Sequence, residues 1–313
     1  NFQWADEDSL RLFRALMHPP YPPHIFFIIS RRTNAEPKLA RHELAATLGV
    51  LPVKARALEV GPLSTAETMA LAQKMLSLEL RSEKVKPEVL RELAQESGGH
   101  PLFVQELARH LTSPRAMKRE GQMPTLDDVL WERVGNLEEV PQKLVHIASL
   151  CGVPITVGVL SKILEVPAGQ CIRYVNQLRV QTLLAASGLH TDRRVEPYHD
   201  KVREAVAHRL PEEEARQLHL TLAHTFNESL SGSPDIIAYH YALGGRSDMA
   251  RVHYLKAAKQ ANATFAFERE AIFLQKALEL WPDSSLSTDK RRRAVVYDLA
   301  RALAHSGRGR QAV

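Results

Sequence analysis

Apolar residues are spaced in three different ways along this chain of 313 residues. The first stretch, to about residue 62, alternates short apolar runs with polar turns. An acidic run, Asp6 to Asp8, with Ser9 can cap a helix that carries Leu10, Phe13 and Leu16 on one face. A proline-rich loop over 17–24 leads into HIFFIISRR, where five apolar residues at 25–29 are bounded by turn residues. Such a run predicts a buried parallel strand. A helix is expected over 38–48, and a further strand carrying Ala57, Leu58 and Val60.

The second stretch is dominated by helical periodicity. Ser64 and Glu67 have the spacing of a capping box ahead of a helix with Leu71, Met75 and Leu78 on one face, and another helix is predicted over 87–96. In SGGHPLFVQELARHL, residues 97–111, Gly98 and Gly99 end one helix with positive φ. Pro101 suits the first turn of the next, which is expected to bury Leu102, Phe103, Leu107 and Leu111. A polar linker over 112–124 and a linking helix over 125–137 follow. Helices are then predicted over 142–150, 156–164 and 168–178, with strands over 183–186 and 195–198 joined by a glycine-containing turn. Three helices followed by a hairpin is the pattern of a winged helix. Winged helices often bind DNA through the third helix, here carrying Arg173, Asn176, Gln177 and Arg179. Only two of those are basic, so DNA binding is the lesser reading.

Beyond residue 211 the spacing is helical throughout. Leu218, Leu222, Ala223 and Phe226 share a face, and Gly245, Ala250, Tyr254 and Ala257 have the small, small, aromatic, small order of a tetratricopeptide repeat. Ala277, Pro282, Gly307 and Ala312 repeat parts of that order at uneven spacing, which a plain helical bundle would also produce.

Composition narrows the classes. Hydrophobic residues make up 44% and charged residues 25%, and no apolar run approaches the 18 or so residues of a membrane span. No signal peptide can be read, and a start upstream of Asn1 would hide one. The net charge of +5 is scattered over Arg31 and Arg32, Lys118 and Arg119, Arg193 and Arg194, and the run from Lys290 to Arg293, with no basic stripe joining them. Cys151 and Cys171 read as buried free thiols of a reducing cytoplasm. The 14 histidines contain no HExxH, and His219 and His224 are five apart, off a single helix face, so no metal site is expected.

The segments QWADEDSLRLF, IISRR, SGGHPLFVQEL and YHDKVREAV, in that order, resemble the STAND class of P-loop ATPases, in the AAA-type branch of large bacterial signalling proteins. The resemblance implies a mostly α chain with a partial α/β nucleotide-binding core. Residues 1–62 would be the C-terminal part of the P-loop ATPase core, 63–138 the helical lid and linker, 139–210 the winged-helix domain, and 211–313 truncated TPR-like repeats. It also implies ATP or ADP with Mg as ligands. Asn1 falls on the second of two acidic positions, Arg31 would sense the γ-phosphate, and Gly99 and Pro101 would form the element near adenine. His199, of the His199 and Asp200 pair, would reach the β-phosphate of ADP; the plainer account has Asp200 cap a helix while His199 packs beside the wing. The Mg-holding aspartate would stand just before residue 1.

No GxxxxGK[ST] occurs, so the phosphate-cradling loop is absent from these residues and the piece alone is not expected to be catalytic. The expectation is a cytoplasmic fragment of an ATP-dependent regulator, fused in the family to a Ser/Thr kinase, cyclase or DNA-binding effector, with its repeats binding protein partners. The alternative is a non-enzymatic adaptor or DNA-binding transcriptional regulator. A truncated reading frame without an independent role is a third.

Overall fold

The structure, a computed structural model, describes residues 12–13, 15–17, 28, 58–80, 85–112, 124–229, 231–282 and 289–307. The chain divides into two units, Asn1–Gly61 and Pro62–Val313.

In the first unit residues 12–13 and 15–17 are helical, as the pattern predicts. The inward face differs from the expected one, because Leu16 is exposed and Met17 is buried. Ile28, the described member of the expected strand at 25–29, lies outside any strand and is exposed. Leu58 and Val60 are likewise irregular and exposed, so the strand expected there does not extend over them. An apolar run becomes a strand only beside a hydrogen-bonding neighbour, and these residues have none among those described. Asn1, Arg31, Ala57 and the helix over 38–48 lie outside the described residues, as does most of the expected α/β core.

The second unit is mostly helical with a small sheet. Helices α1 (Thr65–Leu80), α2 (Pro87–Glu96) and α3 (Pro101–Leu111) form a small group with its own apolar cluster, including Ala72, Leu76, Leu93, Val104 and Leu107. The predicted capping box starts α1: the Ser64 N–H donates to Glu67 at 2.8 Å, and the Glu67 N–H donates back to the Ser64 hydroxyl at 3.3 Å. On α3 the deeply buried positions are Val104, Leu107 and Ala108 together with Glu106; Leu102, Phe103 and Leu111 are only partly buried. The inward stripe is therefore turned by about one residue from the expected one, and Phe103 packs instead toward the larger core.

Helix α4 (Leu126–Gly135) joins the two cores. Its N-cap Thr125 makes a capping box with Asp128. Val129 faces the small cluster, while Leu126, Leu130 and Val134 face the large one. Glu96 at the end of α2 accepts from the Leu126 N–H at 3.1 Å. The expected linking helix is thus a strut with two apolar faces.

Next come α5 (Glu139–Cys151), β1 (Ile155–Thr156), α6 (Val157–Ile163), α7 (Ala168–Val180), β2 (Leu184–Ser187) and β3 (Arg194–Pro197). The three strands pair antiparallel in the order β1, β3, β2, with Ile155 opposite Val195 and Ala185 opposite Glu196. Every residue of α5 from Leu144 to Cys151 is buried, the mark of a helix packed on all sides. Helix α8 (Asp200–Arg209) returns against α4 and α5, and Arg209 reaches Asp128 at 2.8 Å.

The remaining helices are α9 (Glu212–Glu228), α10 (Pro234–Leu243), α11 (Ser247–Ala263), α12 (Phe267–Glu279) and α13 (Lys290–His305), and from α10 onward each packs on the one before it. The predicted inward residues of α9 are all buried, as are Ala250, Tyr254 and Ala257, and Gly245 turns with φ 77°. Helix α9 also packs on α5 and α6, and one apolar cluster runs from Leu126 through to Ala277. Residue 210 therefore separates two sequence patterns but not two cores. Both cysteines are free and buried, and burial pushes the thiols up, Cys151 to about 12 and Cys171 to about 11, which keeps them protonated and inert. Among the described residues no helix is long and apolar enough to cross a membrane.

Candidate functional site

Two glycines make the turn between α2 and α3, with φ of 55° at Gly98 and 75° at Gly99. A Cβ at Gly99 would stand 2.3 Å from the carbonyl oxygen of Leu63, whose own N–H donates to the Gly99 carbonyl at 2.9 Å. The segment entering α1 crosses directly over the turn, so only glycine fits. Gly99→Ala is expected to destabilise the protein by about 2 kcal/mol or more, combining a left-handed backbone with a backbone clash. Urea unfolding would measure it, with Gly98→Ala, where a Cβ meets open space, as the milder comparison.

The same turn presents a histidine, a proline and an aromatic ring. His100 is the N-cap of α3, Pro101 occupies the first turn and is exposed, and the Phe103 ring stacks on His100 with centroids 4.1 Å apart. Into this corner comes His199, at the step from β3 to α8. Its backbone is extended and its Nδ1 accepts from the Lys201 N–H at 3.1 Å. The ring of His199, rather than Asp200, therefore caps α8, while Asp200 pairs with Arg203 one turn on. With Nδ1 accepting, a neutral His199 carries its proton on Nε2 and is a donor there. The ring stands edge-on to both neighbours, 5.1 Å from His100 and 5.5 Å from Phe103.

Gly99, Pro101 and His199, singled out separately in the sequence, are thus brought to one corner. The corner is packed rather than hollow: the crevice between α3, α4 and His199 holds about 10 Å³, room for one water at most. A larger ligand would lie on its outer side, where Pro101 is exposed. Burial holds the His100 imidazole below its usual range, and its Nδ1 is buried with no hydrogen-bond partner among the described residues.

Behind the rings lies a charged cluster that the sequence reading missed. Glu106, buried on α3, accepts from Arg133 of α4 and from Arg109 at 3.0 Å. The Thr182 hydroxyl lies 3.3 Å from the same carboxylate, and Arg133 also donates to the carbonyl of Gln181 at the end of α7. A cleft of about 430 Å³ opens beside Arg109 and Arg133. Burial is the main force lowering the Arg133 guanidinium from its usual range; the Glu106 charge opposes it and the Arg109 charge adds to it. The signal for Glu106 was its place within the apolar face of a helix, three residues from Phe103 and six from His100. Nothing local marks Arg133 or Thr182 as its partners.

On α7, Arg173, Asn176, Gln177 and Arg179 are all exposed. The Asn176 carbonyl oxygen accepts from Arg193 of the hairpin at 2.9 Å, with Arg179 at 3.5 Å.

No protein-family model and no curated protein sequence matches this chain. Among solved structures it is similar to a signal transduction ATPase with numerous domains (STAND) protein with a tetratricopeptide repeat sensor, from Pyrococcus horikoshii. The identity is 16% and the TM-score 0.43, over 80% of this chain and 40% of that chain. The chain therefore spans well under half the length of that relative.

Proposed function

We propose that the chain is the regulatory part of a nucleotide-dependent signalling switch of the STAND type, working with a phosphate-binding loop that its 313 residues do not contain. The reading is carried by one observation. The turn at Gly99 and Pro101 and the histidine at 199, which the resemblance assigns to the adenine and β-phosphate ends of one nucleotide, meet through His100 and Phe103. In this reading the Nε2–H of His199 donates to a phosphate oxygen of ADP, and exchange for ATP loosens α8 from α3. Arg31 senses the γ-phosphate, and the helices from α9 onward receive the partner. Asn1, in place of a carboxylate, makes hydrolysis the lesser part of the role.

The test is ADP retention by the protein with a phosphate-loop domain joined ahead of it. His199→Ala is expected to speed ADP release about tenfold, the worth of one hydrogen bond to a charged group. Release at the wild-type rate would remove His199 from the nucleotide site. The alternative, a DNA-binding regulator, draws less support, because Asn176 on the exposed face of α7 is already engaged by Arg193.

A further inference from the structure

We propose that Glu106 and Thr182 form a latch that holds helix α3 against the hairpin unit, α5 to β3, and that its release is the step by which the two separate. This deepens the switch reading and rests on it for its purpose, though not for its geometry.

Several observations converge on these two residues. Glu106 belongs to the α1–α3 group, yet its carboxylate is turned out of that group's apolar cluster toward Arg133 of α4 and the turn that leads from α7 into β2. A buried carboxylate needs a compensating charge, and a guanidinium that loses its carboxylate is left uncompensated in turn. On parting, Glu106 keeps only Arg109 of its own helix and Arg133 is left without a carboxylate, so the cost comes in one step, which suits a latch better than graded apolar packing would.

Thr182 is the second part. It is β-branched and held at φ 56°, a left-handed conformation that such residues avoid. Its hydroxyl has one proton, which it can donate either to Glu106, at 3.3 Å, or to the Gln181 carbonyl, at 2.6 Å. Arg133 donates to that same carbonyl, at the end of α7 where carbonyls lack helical partners. The strained turn is thus clamped from the α3 and α4 side, and letting go of the clamp lets the turn relax. Glu106 and Thr182 also line the same crevice as Phe103 and His199, so the latch stands directly behind the rings. A change at His199 need not travel through either core to reach it.

The latch is measured without nucleotide, which separates its failure from that of the switch reading. Spin labels on cysteines replacing Glu92, exposed on α2, and Glu196, exposed on β3, report the separation across it in the full chain. The native Cys151 and Cys171 are buried and stay unlabelled. Wild type is expected to give one short distance. Glu106→Gln is expected to raise a longer-distance population about tenfold, as the loss of a bond to a charged group implies, and Thr182→Val to raise it in the same direction by a smaller factor, since its one proton is divided between Glu106 and the Gln181 carbonyl. Val keeps the strained, branched backbone and removes only the hydroxyl. Thr182→Asn, which tolerates the left-handed region and keeps a donor, is expected to stay closed even if Glu106→Gln does not fold. Wild-type distances in Thr182→Val, or equal opening in Thr182→Asn and Thr182→Val, would overturn the latch.

Discussion

Replacing Glu106 with Ala is expected to lower the stability of the protein by about 3–5 kcal/mol, the range found when one member of a buried ion pair is removed. The size follows from what is left behind. Arg133 keeps only 18% of its side chain exposed, and without Glu106 its charge faces Arg109 and a single backbone carbonyl. Replacing both partners by apolar residues, Glu106→Leu with Arg133→Met, is expected to recover most of the loss, because no charge is then stranded. Urea unfolding of the two single variants and the double variant measures this coupling directly. A double variant as unstable as the sum of the singles would show that the two residues act separately.

The second large effect is acid sensitivity. His146, His219, His240 and His253 are all buried, and burial is the leading cause that holds each below its usual range. For His146, Glu214 at 3.1 Å opposes the shift without reversing it; for His253 the Lys256 charge adds to it. His240 lies deepest, its Nδ1 2.8 Å from Nδ1 of His219, and is pushed down to about 3 by burial and then by its neighbour. One nitrogen of that facing pair must donate and the other accept, which two charged rings cannot do.

The sign follows from linkage. A histidine with a depressed folded value contributes stability above its unfolded value of 6.5, and that stability is lost as pH falls toward the folded value. For His240 alone the loss between pH 6.5 and 5 is about 2 kcal/mol, at 1.36 kcal/mol per unit. The other three histidines add to it in the same direction. Unfolding midpoints in urea at pH 7.5 and 5.0 check this, with His240→Gln expected to flatten the slope. A stability unchanged over that interval would mean that these rings are charged, or solvated, in the native protein.

The sequence was a good guide wherever the signal is local. Helix bounds at Pro87–Glu96 and Pro101–Leu111 follow from a proline at the start and glycines or polar residues at the end. The hairpin strands come within one residue of their expected positions, because apolar alternation and the Gly188 turn, with φ 88°, are both short-range features. What the sequence could not show depends on pairs far apart in the chain. Glu106 finds Arg133 across 27 residues and Thr182 across 76, and His219 finds His240 across 21. None of these residues is unusual until its partner is known. The candidate site divides the same way: Gly99, Pro101 and His199 were legible one by one, but the rings of His100 and Phe103 that join them were not.

The single apolar cluster from Leu126 to Ala277 has a mechanical meaning. Helices α9 to α12 are not a chain of beads hung from the hairpin unit; they are seated in the same core as α5 and α8. Force applied to the outer helices has no soft joint at residue 210 in which to dissipate. It passes from α9 into α5, the helix on which α8 also packs, and α8 is the helix that His199 caps.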